Sequence, residues 1–100
     1  MIDVDRTAFG RIAVDEAALT RLVRETAERV EGVHAVRGRG TRISVEKERA
    51  VIVMVGVVAR AGTGLAELGR NVQERVAQAL RTALEPSALR VDVTIEEIAS

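Results

Sequence analysis

The chain has 100 residues and 47% hydrophobic content, with 15 basic and 15 acidic side chains that cancel to zero formal charge. That predicts one ordered globular domain with a small core, and it argues against a general binder of nucleic acid or of acidic membranes. With no Cys, Trp or Tyr and a single Phe, the chain has no disulfide, no thiolate nucleophile and no aromatic platform for stacking bases.

Residues 1–8 are polar and read as a flexible N-terminal segment preceding a single domain over 9–98. They contain no apolar stretch of signal-peptide type, so no leader is expected. A short strand is predicted from Phe9 to Val14. Asp15 reads as an N-cap, with Glu16 suited to the positive end of a helix. Leu19, Leu22, Val23, Thr26, Ala27 and Val30 then recur at helical spacing and predict one apolar stripe. Glu25 and Arg29 are spaced for an i,i+4 pair, and Gly32 reads as the glycine that stops the helix.

From Val33 to Ala59 the period becomes two. Ile43 and Val45 point inward while Arg42, Ser44 and Glu46 point outward, and Lys47-Glu48 reads as a hairpin connection. The next strand, AVIVMVGVVA, is apolar on both parities: Val51, Val53, Val55 and Val57 on one side, Ile52, Met54 and Val58 on the other. A strand with one wet face would alternate, so this is a central strand with something against its second face. The longest apolar run, Ala50 to Ala59, is too short to span a bilayer.

A second helix is predicted over Leu65–Leu84, with Leu65, Leu68, Val72, Val76, Ala79, Leu80 and Ala83 as its stripe and Pro86 ending it. In the closing strand Val91, Val93 and Ile95 point in and Arg90, Asp92, Thr94 and Glu96 point out. The order β-α-β-β-α-β predicts an α+β two-layer sandwich, a small sheet with two helices on one face. Two helices cannot cover both faces of such a sheet. The face carrying Ile52, Met54 and Val58 is therefore a candidate for self-association, unless a loop or the segment around Phe9 covers it.

Four features invite a chemical reading. His34 is the only histidine and, without cysteines, makes no zinc set. Ser44, Ser87 and Ser100 lack a nucleophile context. Glu96 and Glu97 are adjacent in a strand, which predicts opposite faces and no acid/base pair. The turn RAGTGLAELG, Arg60 to Gly69, has a strand before it and a helix after it, as a dinucleotide loop would. However, Glu67 stands where the third glycine belongs, and no Lys-Ser/Thr pair follows. It reads as a corner with Thr63 or Gly64 as N-cap, Gly69 letting the helix lie close to the sheet. No catalytic constellation, cofactor or metal site is expected.

The basic cluster VRGRGTR, with Arg37, Arg39 and Arg42, has two readings. One is a flexible, solvated loop or bulge ahead of a strand. The other is a phosphate grip, with Gly38 and Gly40 admitting backbone amides to an anion. The α-β-β-α order also resembles RNA-binding modules of the KH type, although their Gly-x-x-Gly loop between two helices is absent. That makes a small RNA-binding module using the Arg cluster the alternative function.

Three stretches carry a family resemblance over about residues 10–98. GRIAVDEAALTRLVRETAERVEGV, ending in Gly32-Val33, looks like an opening strand and helix. GLAELGRNVQERVAQAL holds a Val-Gln-x-x-Val core at Val72, Gln73 and Val76. VDVTIEEI supplies Val91, Val93, Ile95 and Ile98. Together these resemble the alkaline shock protein family, envelope stress-response proteins found mainly in Gram-positive bacteria. Ala61-Gly62 and Glu85-Pro86-Ser87 stand where that family often has Tyr-Gly and Thr-Gly. The resemblance implies a non-enzymatic protein of cell-envelope homeostasis, cytoplasmic or peripheral at the inner face of the membrane. It also implies that the protein associates with itself and with a small membrane-anchored protein.

Overall fold

The computed structural model describes residues 2–7 and 10–100. Its elements are β1 (Ile2–Thr7), β2 (Gly10–Val14), α1 (Glu16–Glu28), β3 (Val33–Val45), β4 (Ala50–Arg60), α2 (Leu65–Leu84) and β5 (Ala88–Ala99). Strands β3, β4 and β5 form the main sheet in that spatial order. β3–β4 is antiparallel and β4–β5 parallel, joined through α2. The α+β sandwich expected from the sequence is the fold observed. In addition, residues 2–7 of the segment expected to be flexible are a strand, paired with β2 in a separate two-stranded sheet from Ile2↔Val14 to Thr7↔Gly10. The cover for the second sheet face expected around Phe9 lies outside the described residues.

Both helices bury one stripe against one face of the sheet. From α1 come Leu19, Val23 and Ala27, followed by Val30; from α2 come Leu68, Val72, Val76, Leu80 and Leu84. The sheet answers with Val51, Val53, Val55 and Val57, none more than 1% exposed. Period-2 valines pack well on helices because β-branched side chains fill a pleated surface without rotamer cost. The predicted stripe of α2 shifts slightly: Leu84 is buried where Ala83 is exposed, and Leu65 lies at the rim.

Local capping follows the sequence at one end of α1 and departs at the other. The Asp15 carboxylate accepts from the Ala17 N–H at 2.9 Å, as an N-cap should. At the far end Arg29 is the C-cap, three residues before Gly32, which takes φ +96° in the turn that follows. Gly32 is needed for a second reason: a Cβ there would lie 2.7 Å from Thr63 Cγ2. The ion pairs of α1 are Arg21–Glu25 at 2.9 Å and Arg24–Glu28 at 3.8 Å, rather than the expected Glu25–Arg29. The Arg21 hydrogen bond, then its charge, holds the Glu25 carboxyl below its usual value, with smaller help from Arg29 and Arg24.

α2 begins at Gly64 without a side-chain cap and ends at Glu85 in the left-handed region, directly before Pro86. Gln73 donates from Nε2 to the Val91 carbonyl at 3.1 Å, tying the helix to edge strand β5. The β3–β4 connection is two residues longer than the expected Lys47-Glu48: it runs from Glu46 to Arg49, and within it Lys47–Arg49 form a short 3-10 turn, with Glu48 and Arg49 both at φ +60°.

Candidate interaction face

The sheet face away from the helices is built on the even residues of β4. Ile52 is half-buried, Met54 is 50% exposed and Gly56 and Val58 are buried. The register sets their neighbours. Ser44 and Arg90 flank Ile52; Arg42 and Asp92 flank Met54; Arg37 and Thr94 flank Gly56; Ala35 and Glu97 flank Val58. A narrow apolar strip therefore runs down the centre of the face between two polar edges.

Of the three residues expected to form an uncovered patch, Ile52 and Met54 are accessible and Val58 is not, at 3% exposed. An ion pair spans the strand beside Val58. Arg37 Nη2 on β3 and Glu97 Oε2 on β5 meet across the central strand at the level of Gly56 and Val58.

Two irregularities in the ladder create this arrangement. Between Arg37↔Gly56 and Arg42↔Met54, β3 holds four residues where β4 has one, so of the loop and the bulge expected for VRGRGTR it is the bulge that forms, within β3 rather than ahead of it. Thr41 stitches the bulge shut. Its hydroxyl donates to the Arg37 carbonyl at 2.9 Å and accepts from the Gly56 N–H at 3.4 Å. In β5, Val57↔Ile95 is followed by Val58↔Glu97, which leaves Glu96 as an extra residue. The parity rule that would send Glu96 and Glu97 to opposite faces fails at such a point. Glu97 reaches Arg37, and the Glu96 carboxylate lies where Gly56 and Gly40 would carry Cβ atoms, so both acids share this face. Neither bulge has a periodicity signal; the closely spaced Gly38 and Gly40 are the one hint in the sequence.

The charges are consequently segregated. The β3 edge carries Arg37, Arg39 and Arg42, all exposed, and the β5 edge carries Asp92, Glu96 and Glu97 with Arg90. Arg90 pairs with Asp92 at 3.0 Å within its own strand. Arg42 and Glu96 are in no ion pair among the described residues.

The glycine turn lies elsewhere. Gly62 takes φ +84°, the Thr63 N–H donates to the Arg60 carbonyl at 3.2 Å, and Gly64 caps α2. The turn borders an open groove of about 710 Å³ between the ends of α1 and α2. Glu28, Glu31 and Glu67 there outnumber Arg29 and Arg60, the opposite of what a phosphate would favour. Gly69 does not mediate a close helix–sheet approach as expected, since a Cβ there would meet nothing within 4 Å. His34 is exposed, and Ser87 donates its hydroxyl to the Glu48 carbonyl.

No protein-family profile matches the chain, and no curated protein does. Solved structures do. A nickel form of a MamM CTD variant is 20% identical with a TM-score of 0.54, covering 81% of this chain and 99% of that one. A copper form of another MamM CTD variant is 19% identical with a TM-score of 0.56, covering 83% and 100%. A MamM CTD is 18% identical with a TM-score of 0.56, covering 82% and 100%. The chain shares the MamM CTD fold. At that identity the likeness concerns the path of the backbone and not the residues of the outer face.

Proposed function

We propose that this chain is a non-catalytic interaction module that associates with a second copy through the outer face of its three-stranded sheet. The observation that carries the reading is Met54, half exposed at the centre of a central strand, with Ile52 beside it and both helices on the other side. Burying that strip removes apolar area from water at about 25 cal/mol per Å². Sedimentation over a wide concentration range tests it: a reversible dimer is expected, and Met54→Asp should leave a folded monomer. A wild-type chain that stays monomeric at the highest concentration overturns the reading.

The patterns shared with the alkaline shock protein family support a finer version. In it the module serves cell-envelope homeostasis and is held at the inner face of the membrane by a small membrane-anchored protein. No helix among the described residues is long and apolar enough to cross a membrane. Pull-down from native cells with membrane fractionation tests this version, and recovery as a free cytosolic protein without partners counts against it. The metals in the neighbours' names are not carried over, because no three His, Cys, Asp or Glu side chains among the described residues converge on one point.

A further inference from the structure

We infer that the second copy docks with its strands running parallel to the first, so that the arginine edge on β3 of each copy lies over the acidic edge on β5 of the other. The inference rests on the self-association proposed above and adds its symmetry, its register and the charges that select them.

A face-to-face homodimer of a sheet has two simple two-fold axes lying in the interface. One runs across the strands. It places β3 over β3 and β5 over β5 with the level along the strand reversed, so that, centred on Met54, it sets Arg42 against Arg42 and Asp92 against Asp92. The other runs along β4. It exchanges the left and right edges while keeping the level along the strand. Arg42 and Asp92 flank the same residue, Met54, from opposite sides. Under this axis Met54 meets Met54, and each Arg42 meets the partner's Asp92. Arg37 and Arg39 likewise come over the segment holding Thr94, Glu96 and Glu97. Only the second axis turns the segregated edges into complementary ones, and like-charge contacts at an interface are strongly discriminating.

The two central contacts matter most. Packed sheets cross at about −30° because each is twisted, so register is kept near the crossing point and lost toward the ends. Met54 is at the middle of β4, and its flanking charges stay in reach of a partner. Arg42 is in no ion pair among the described residues, and the Asp92 side chain is 46% accessible beside Arg90. Area limits the affinity. Three strands at about 4.8 Å and some nine residues at about 3.3 Å give a flat face of roughly 15 by 30 Å. That is below the roughly 800 Å² per partner of a standard interface. The dimer is therefore a weak one, and its charged edges make it sensitive to salt.

The experiment is sedimentation velocity on wild type, Arg42→Asp, Asp92→Arg, an equimolar mixture of the two variants, and the double variant. Each single variant alone places two like-charge contacts in its dimer and should dissociate at about tenfold lower salt-matched affinity. In the mixture, a heterodimer has one reversed contact and one original contact, both attractive. The mixture and the double variant should therefore recover dimer. Singles that weaken the dimer without recovery on mixing overturn the inference, since the charges would then act within one chain. A dimer indifferent to both singles also overturns it, leaving self-association intact. A monomeric wild type removes the underlying reading instead. Should either variant fold poorly by circular dichroism, the wild-type chain still decides. Dimerisation unchanged or strengthened between about 50 and 500 mM NaCl would contradict charge-selected docking.

Discussion

The Glu96 carboxylate occupies the space where Gly56 would carry a side chain. Gly40 approaches from the other side, and a Cβ on Gly56 would sit 3.1 Å from the Gly40 Cα. The two glycines and the acid form a single packed unit where both bulges meet. Gly56→Ala should therefore destabilise the fold by about 1–3 kcal/mol, through overpacking against backbone that cannot swing away. Removing the acid in the same background, Gly56→Ala with Glu96→Ala, should recover part of that loss and no more, because the Gly40 contact persists. Equal stability of Gly56→Ala and wild type in urea melts would disprove this packing.

Thr41 is 5% exposed and serves both strands at the β3 bulge. Thr41→Val keeps the shape and removes the hydroxyl, leaving the Gly56 N–H and the Arg37 carbonyl without that partner. A loss of about 1–3 kcal/mol is expected. Hydrogen exchange gives the sharper check: the Gly56 amide should exchange faster in the variant while the amides of α2 keep their ranking.

Gly69 lies within α2 with open space where a Cβ would go. Gly69→Ala should stabilise the chain by about 0.5–1 kcal/mol by restricting the unfolded backbone and favouring helix. A lower melting temperature would show that the helix needs a bare backbone there after all.

Glu25 tests which arginine matters on α1. Its carboxyl is held low in the folded state, so its contribution to stability is present above the unfolded value and lost as pH falls through the folded one. Both side chains of the Arg21–Glu25 pair are largely exposed, which keeps that contribution small. In an NMR titration, Arg21→Ala should move the Glu25 midpoint upward, and Arg29→Ala should move it less. The reverse order would restore the Glu25–Arg29 pairing that spacing alone suggests.

For the alternative function, the basic cluster is locked into a sheet and Arg37 is engaged by Glu97. Retention on an RNA column at low salt is not expected. Salt-sensitive binding lost in the Arg37/Arg39/Arg42 triple alanine variant would reinstate the RNA reading.

What the sequence determined by itself is whatever depends on near neighbours in the chain. The span of α2 from Leu65 to Leu84, the Asp15 cap, the inward valines of β4 and the two-layer order all follow from a repeat of 3.6 or 2 residues. A few consecutive side chains suffice to show such repeats. Tertiary structure decided whatever depends on a count across strands. One extra residue in β5 brings Glu96 and Glu97 to the same face, and the excess in β3 decides between loop and bulge for the arginine cluster, as a bulge held by Thr41. Val58, apolar and on the outer face, is buried in the assembled sheet, next to an ion pair between an arginine and a glutamate 60 residues apart in the chain. Periodicity is written locally and survives in the sequence. Register is a relation between distant segments, and only the assembled sheet sets it.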